Sequence, residues 1–287
     1  MEEQKIILNN IDSFEPKHIF ECGQCFRWTE NLDGSYTGVV GKNVLNVKKI
    51  EKDIIITGIS NGDLQTFVNY YFDLDRDYNN IKLNLAGIDN DLAKSIEYGE
   101  GIRILNQDLW ETIISFIISA NNNIPRIKGI IKKISEKYGE KMVWNNNVYF
   151  SFPTKEQLSK ATIEDLKKLG LGFRDIRVYE TTKIINSNKI DLDKLKTEET
   201  EKVRETLLTL PGVGPKVADC ILLFSELKRL EVFPIDVWVR RVMNELYIKM
   251  EDETKVNKKE ILKLAKEKYG SLAGIAQQYL FYWKREA

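Results

Sequence analysis

A lysine and an aspartate twenty residues apart hold the plainest chemical potential in this sequence. Lys216 stands in Leu210-Pro211-Gly212-Val213-Gly214-Pro215-Lys216-Val217-Ala218-Asp219-Cys220, and Asp236 closes Phe233-Pro234-Ile235-Asp236. A lysine amine that loses its proton is a nucleophile toward electrophilic carbon. A carboxylate returning beside it can balance positive charge that develops on a sugar carbon. The residues before the lysine read as a tight turn, because Pro fixes φ while Gly212 and Gly214 permit positive φ. Pro215 then suits a first helical position, which needs no N–H. The turn carries no long side chains, so its N–H groups and those of the helix start can approach an anion such as phosphate. Lys216 falls in the first helical turn, where the helix dipole and partial burial are both expected to lower its pKa. Cys220 lies one turn further along the same face.

These residues need elements to hold them. Glu198 to Thr209 reads as a helix before the turn, and Val217, Ile221 and Phe224 give the following helix a core face. The unit is helix, hairpin, helix. Residues 1 to about 60 read as strands: Phe26-Arg27-Trp28 and Tyr36 to Val40 flank the turn signal Asp33-Gly34, and Val44–Val47 and Ile54–Thr57 continue the meander. Leu64 to Phe72 reads as a helix, and Gly99 and Gly101 mark a seam. The expected fold is α+β, with an antiparallel β-sheet domain over residues 1–100 and an all-helical domain over 101–287.

Within the second part, Asp108 to Ser119 carries an apolar stripe of Leu109, Ile113, Phe116 and Ile117. Asn121-Asn122-Asn123 interrupts it, and Pro125 opens the next helix. Thr154 with Gln157 looks like a capping box. Leu169 to Arg174 is a helix stop and a turn. Ala273 to Phe281 is a helix that puts Gln277 and Phe281 on one face.

Composition excludes several classes. Hydrophobic residues make up 43% and charged residues 30%, as in an ordinary soluble protein. No apolar run has membrane-spanning length, and Met1 to Asn10 is not a signal peptide, so an intracellular location is expected. Net charge is zero, but residues 1–100 hold 10 basic against 17 acidic side chains and the remainder 33 against 26. The basic excess travels with the hairpin, although solvated helix faces explain many of these lysines. Cys22-Gly23-Gln24-Cys25 is a C-x-x-C without a second pair, and His18 is the sole histidine, which disfavours zinc, disulfide and Ser–His–Asp chemistry. Asp73, Asp75 and Asp77 start like a calcium loop, but Tyr78 and Asn84 occupy its Gly and Glu positions. Gly41-Lys42 lacks the rest of a phosphate-binding loop.

LPGVGPKVADC followed by FPIDV resembles the helix–hairpin–helix, Gly/Pro-Asp superfamily of DNA glycosylases, and the VADC narrows the resemblance to the 8-oxoguanine DNA glycosylase family. Gly23-Gln24-Cys25-Phe26-Arg27-Trp28, Asn121-Asn122-Asn123-Ile124-Pro125-Arg126 and Ala273-Gly274-Ile275-Ala276-Gln277 are similar to further motifs of that family, so the likeness spans nearly the whole chain. It implies a glycosylase and AP lyase acting on duplex DNA that contains 8-oxoguanine, with Lys216 as nucleophile and Asp236 as electrostatic partner. The Gly23 carbonyl, Cys220, Pro234, Asp236, Gln277 and Phe281 are implied around the base. Asn121, Arg126, Phe173 and Arg174 are implied at the gap and the opposite cytosine. Gly212, Gly214 and Trp238 are implied near phosphates, although relatives commonly carry His at the Trp238 position and Tyr at the Phe173 position.

No cofactor is required by this reading, no catalytic metal is implied, and action as a monomer is expected. A monovalent or calcium ion on the Leu208, Leu210 and Val213 carbonyls would fit the family. A glycosylase for another damaged purine, or a binding module without catalysis, remains an alternative at this stage.

Overall fold

Alternating apolar residues drive most of the first sixty residues into a sheet. The computed structural model describes residues 2–286, with strands β1 (Glu2–Leu8), β2 (Trp28–Glu30), β3 (Tyr36–Val40), β4 (Asn43–Ile50) and β5 (Asp53–Ser60). They form one antiparallel sheet in the order β1-β5-β4-β3-β2. The expected hairpin is present, with Trp28 opposite Gly38. A Cβ on Gly38 would fall 2.3 Å from the Trp28 ring, so only glycine lets the indole lie across β3. Phe26 and Arg27 lie outside the strand, in the bend that leads to it. Helix α1 (Pro16–Glu21), not anticipated, starts on Pro16 and buries Ile19 and Phe20. Phe20 stacks on Trp28 at 3.9 Å, and Trp28 Nε1 donates to the Tyr71 hydroxyl at 3.0 Å. Helix α2 (Leu64–Tyr71) completes this smaller core.

The helical part comprises α3 (Tyr78–Ala86), α4 (Asn90–Tyr98), α5 (Leu109–Ser119), α6 (Ile124–Tyr138), α7 (Lys155–Leu158), α8 (Ile163–Lys168), α9 (Asp175–Asn186), α10 (Leu192–Leu195), α11 (Thr200–Leu208), α12 (Pro215–Phe224), α13 (Val237–Met243), α14 (Lys258–Tyr269) and α15 (Ala273–Glu286). Most starts follow the capping rules: Asp108 accepts from Glu111 N, Asn123 from Arg126 N, and Thr154 forms its capping box with Gln157.

Two expectations need correction. Tyr78, Ile81, Leu85, Leu92 and Ile96 belong to the larger helical core, and α4 packs on α15. Packing therefore does not divide at residue 100, because α3 and α4 bury their apolar faces against the C-terminal helices. The second part is also not all-helical. Strands β6 (Lys141–Trp144) and β7 (Asn147–Phe150) form a hairpin whose Met142 and Trp144 cover Val39, Val44 and Ile59 of the sheet. Asn145 and Asn146 take φ of 48° and 60° there, as a two-residue hairpin turn requires.

Polar bonds tie the two parts together behind the site. Gln24 is fully buried; its Nε2 donates to the Ile19 and Arg103 carbonyls, and its Oε1 accepts from Leu105 N. Lys228 pairs with Asp73 at 3.2 Å and donates to the Ile104 carbonyl.

Candidate active site

The hairpin between α11 and α12 is held from three sides. Gly212 has φ +88°, and a Cβ there would lie 3.0 Å from both Arg177 Cδ and Ile117 Cγ2. Thr181 Oγ1 donates to the Pro211 carbonyl at 3.0 Å. Arg204 of α11 pairs with buried Asp219 of α12, which fixes the angle between the two helices. Gly214 caps α12 in an extended conformation without a side-chain cap. The first N–H groups of α12 thus have no side-chain partner and can meet an anion.

Lys216 and Asp236 come together as expected. They line one narrow cavity with Cys22, Gly23, Phe116, Cys220, Phe224, Pro234, Gln277, Gln278 and Phe281. Its volume is about 40 Å3, room for a water or two and less than a purine needs. Lys216 Nζ sits 5.5 Å over the Phe116 ring. Asp236 is the N-cap of α13 and accepts from Val239 N at 2.8 Å, which fixes the carboxylate at the cavity wall.

The expectation of a lowered Lys216 pKa is overturned. Burial does push the ammonium down, but the Cys220 sulfur and the Asp236 carboxylate oppose it and prevail, so Lys216 lies above the ordinary lysine value. Burial raises the Cys220 thiol, against the pull of Lys216.

At the other end, Gly23 has φ +85° and lies against Phe281 and Arg285. The flanking carbonyls are both engaged: Gln278 Nε2 donates to Cys22 O, and Gln107 Nε2 donates to Gln24 O at 2.7 Å. Among the described residues, no side chain binds the Gly23 carbonyl between them. Gln277 is 4% exposed, and its Oε1 is buried without a hydrogen-bond partner. Arg285 lies 5.0 Å over the Phe281 ring and donates to Glu21 O. Cys22 and Cys25 are buried free thiols. Burial pushes Cys22 up to about 11 and Cys25 higher, so neither is poised for redox chemistry.

Sequence reasoning missed several contributors, Gln107 among them. Phe116 was legible only as one residue of an apolar stripe. Gln24, Gln278 and Arg285 act through the backbone of the Gly23 turn, and their one available signal was adjacency to motif residues.

A second group forms on the surface. Asn121 takes φ +51° in the turn before α6, and Arg126 Nη2 donates to Gly170 O at 3.2 Å. Phe173 is 53% exposed, as a wedge would need to be. Arg174 departs from expectation. It is 1% exposed, and its guanidinium donates to the carbonyls of Ala120, Asn121 and Leu171. Burial first, then the neighbouring Arg126 and Arg177 cations, lower its pKa. In this conformation Arg174 does not present itself to a base; it pins the Asn121 turn. Trp238 stands apart on α13, 47% exposed, with Arg241 5.5 Å over its ring.

Free Gly212 and Gly214 N–H groups at a hairpin, beside a cavity that brings an amine and a carboxylate together, suit an enzyme that acts on a base of DNA. Residues 114–268 match the HhH-GPD superfamily of base excision DNA repair proteins. Residues 6–113 match the 8-oxoguanine DNA glycosylase N-terminal domain. The chain belongs to the 8-oxoguanine DNA glycosylase family within that superfamily. It is 34% identical to the N-glycosylase/DNA lyase of Saccharomyces cerevisiae over 92% of this chain and 81% of the relative. It is 43% identical to the apo 8-oxoguanine glycosylase/lyase of Clostridium acetobutylicum, with a TM-score of 0.91 and 98% of each chain covered. The same Clostridium enzyme bound to duplex DNA with cytosine opposite 8-oxoguanine gives a TM-score of 0.93 at 43% identity, covering 99% of this chain and 97% of that one. No helix among the described residues is long and apolar enough to cross a membrane.

Proposed function

We propose that this protein excises 8-oxoguanine opposite cytosine from duplex DNA and then cleaves the strand by β-elimination through a Lys216 imine. The observation that carries this reading is the shared cavity of Lys216, Asp236 and the unpartnered Gln277 Oε1. A base inside the duplex is out of reach, so it must be flipped out. Backbone phosphates dock on the free N–H groups of Gly212 and Gly214, which positions the DNA without reading its sequence. Asn121 takes the vacated space, Phe173 wedges the stack, and Arg126 offers donors to the cytosine acceptors.

Phe281 and Cys220 flank the purine once the cavity walls, which enclose about 40 Å3 here, have parted to admit it. Its Watson–Crick edge carries N–H donors, which supply the hydrogen bond that Gln277 Oε1 lacks. Pro234 contributes a carbonyl at the edge of the ring. The Gly23 carbonyl meets N7: 8-oxoguanine bears a hydrogen there, whereas guanine bears a lone pair. Facing a carbonyl with a lone pair leaves both unpaired, at about 1–3 kcal/mol.

Lys216 must first lose the proton that its raised pKa retains. Its nitrogen then bonds to C1′ as the C1′–N9 bond breaks and the electron pair leaves with the base. Asp236 stabilises the positive charge on the sugar in between. Opening of the sugar ring gives the imine. Loss of a C2′ proton then expels the 3′ phosphate. None of these steps uses a cofactor.

A monovalent or calcium ion is proposed on the Leu208, Leu210 and Val213 carbonyls: α11 ends at Leu208, whose carbonyl has no helical partner, and the Leu210 carbonyl keeps a second lone pair beside the bond it accepts from Val213 N at 3.0 Å. We place the enzyme as a monomer on intracellular DNA.

Borohydride trapping on an 8-oxoguanine:C duplex tests the reading. The wild type should give a covalent adduct and Lys216→Gln none. Base release without an adduct would refute the imine. Neither release nor adduct would refute the substrate, and 3-methyladenine and A:8-oxoguanine duplexes would follow.

A further inference from the structure

Arg177 has no part in the reading above, yet its surroundings are unusual. It lies near the start of α9, half-buried, with its guanidinium 5.0 Å over the Phe173 ring. Its stem lies along the hairpin: a Cβ on Gly212 would fall 3.0 Å from Arg177 Cδ and 3.1 Å from Arg177 Cβ. The missing Gly212 side chain is what makes room for it. Arg177 has no hydrogen bond or ion pair with any described residue. Arg174, which flanks the same ring at 4.2 Å, is by contrast held by carbonyls. Arg126 and Arg177 both bear electrostatically on Arg174, and none of the three forms an ion pair with a carboxylate among the described residues.

A planar guanidinium with unused donors, touching a hairpin whose Gly212 and Gly214 N–H groups have no partner among the described residues while Val213 N donates to the Leu210 carbonyl, complements an oxyanion with several acceptor oxygens. We propose that Arg177 is a phosphodiester ligand: it binds the DNA phosphate seated at the Gly212–Gly214 hairpin and, through its stacking on Phe173, couples backbone docking to placement of the wedge. This rests on the lesion-DNA reading above. Were Arg177 only a packing support for Phe173, its charge would be irrelevant to binding.

The test measures binding of a duplex with a non-cleavable abasic analogue at several salt concentrations, for wild type, Arg177→Gln and Arg177→Lys. Each phosphate contact contributes about 0.9 to the slope of log affinity against log salt. Arg177→Gln should lower that slope by about 0.9, so its deficit shrinks roughly 3–4-fold between 50 and 200 mM salt. Arg177→Lys should keep the slope. In a double-mutant cycle, Phe173→Ala should cost less in the Arg177→Gln background than in the wild type. An unchanged slope in Arg177→Gln overturns the phosphate role, and strictly additive effects overturn the coupling. Urea midpoints confirm that each variant is folded. Failure of the wild type to nick an 8-oxoguanine duplex would refute the functional reading instead and would leave the slope result intact.

Discussion

Replacing Gln277 by Met should stabilise the free protein while damaging its function. Gln277 is 4% exposed, and its Oε1 has no hydrogen-bond partner. A buried acceptor left unsatisfied costs about 1–3 kcal/mol. Met keeps the length of the side chain, has no comparable acceptor and adapts to irregular space. The variant should therefore gain about 1–3 kcal/mol in urea unfolding, and Tm should rise by roughly 2–4 °C per kcal/mol. The same change removes the acceptor proposed above for the Watson–Crick edge of the base. A lost bond of about 1–3 kcal/mol lowers single-turnover excision of 8-oxoguanine by roughly 5- to 150-fold. Both measurements use one preparation of each protein. A variant no more stable than wild type would show that water in the cavity already satisfies Oε1, which refutes the orphan-acceptor argument. Unchanged excision would remove Gln277 from base reading.

Two further outcomes follow from buried charges. Asp219→Ala strands Arg204 and frees α11 from α12. Breaking a buried pair costs roughly 3–5 kcal/mol, and the loss should lie near the low end because Arg204 is partly exposed and keeps Glu201 at 3.2 Å; a loss below 1 kcal/mol in urea unfolding would contradict this. Glu111 is raised by burial, against the opposing Arg27, to about 7 from an ordinary 4.5. As pH rises through that window, the unfolded chain releases this proton first, so the group's contribution to stability falls and the penalty is complete above pH 7. Glu111→Gln removes this dependence, so the stability difference from wild type should change by on the order of 3 kcal/mol between pH 4.5 and 7.5; parallel curves for the two proteins would contradict it.

What was legible in the sequence was local. Gly212, Gly214 and Pro215 dictate their own turn, so the hairpin, Lys216 and the return of Asp236 could be read directly. The sheet before the helices was readable from alternation. The division at residue 100 was not, because helical periodicity in α3 and α4 marks an apolar face without saying which core receives it. The β6–β7 hairpin did carry a signal, Asn145-Asn146 between alternating residues, inside a stretch taken as helical. The sign of the Lys216 shift depends on two groups converging on it in space: Cys220 from its own helix and Asp236 from the next. Arg174 shows the same limit. Its residue type promises a base contact, while three backbone carbonyls, including those of Ala120 and Asn121, claim its guanidinium.

The bonds around Gly23 explain why so many buried side chains serve one peptide. Distinguishing 8-oxoguanine from guanine at N7 turns on a single hydrogen, and the penalty against guanine exists only while the opposing carbonyl cannot turn away. Glycine alone would let it turn, since φ +85° is one of several conformations open to that residue. The neighbours remove that freedom. Gln278 holds the carbonyl before Gly23, Gln107 holds the one after it, and Gln24 anchors the turn to residues 103–105 with both ends of its amide. Arg285 ties the Glu21 carbonyl to the same helix that carries Gln277 and Phe281. Glycine supplies the close approach and the glutamines supply the rigidity, so the discrimination proposed above at Gly23 would depend on residues that never touch the base.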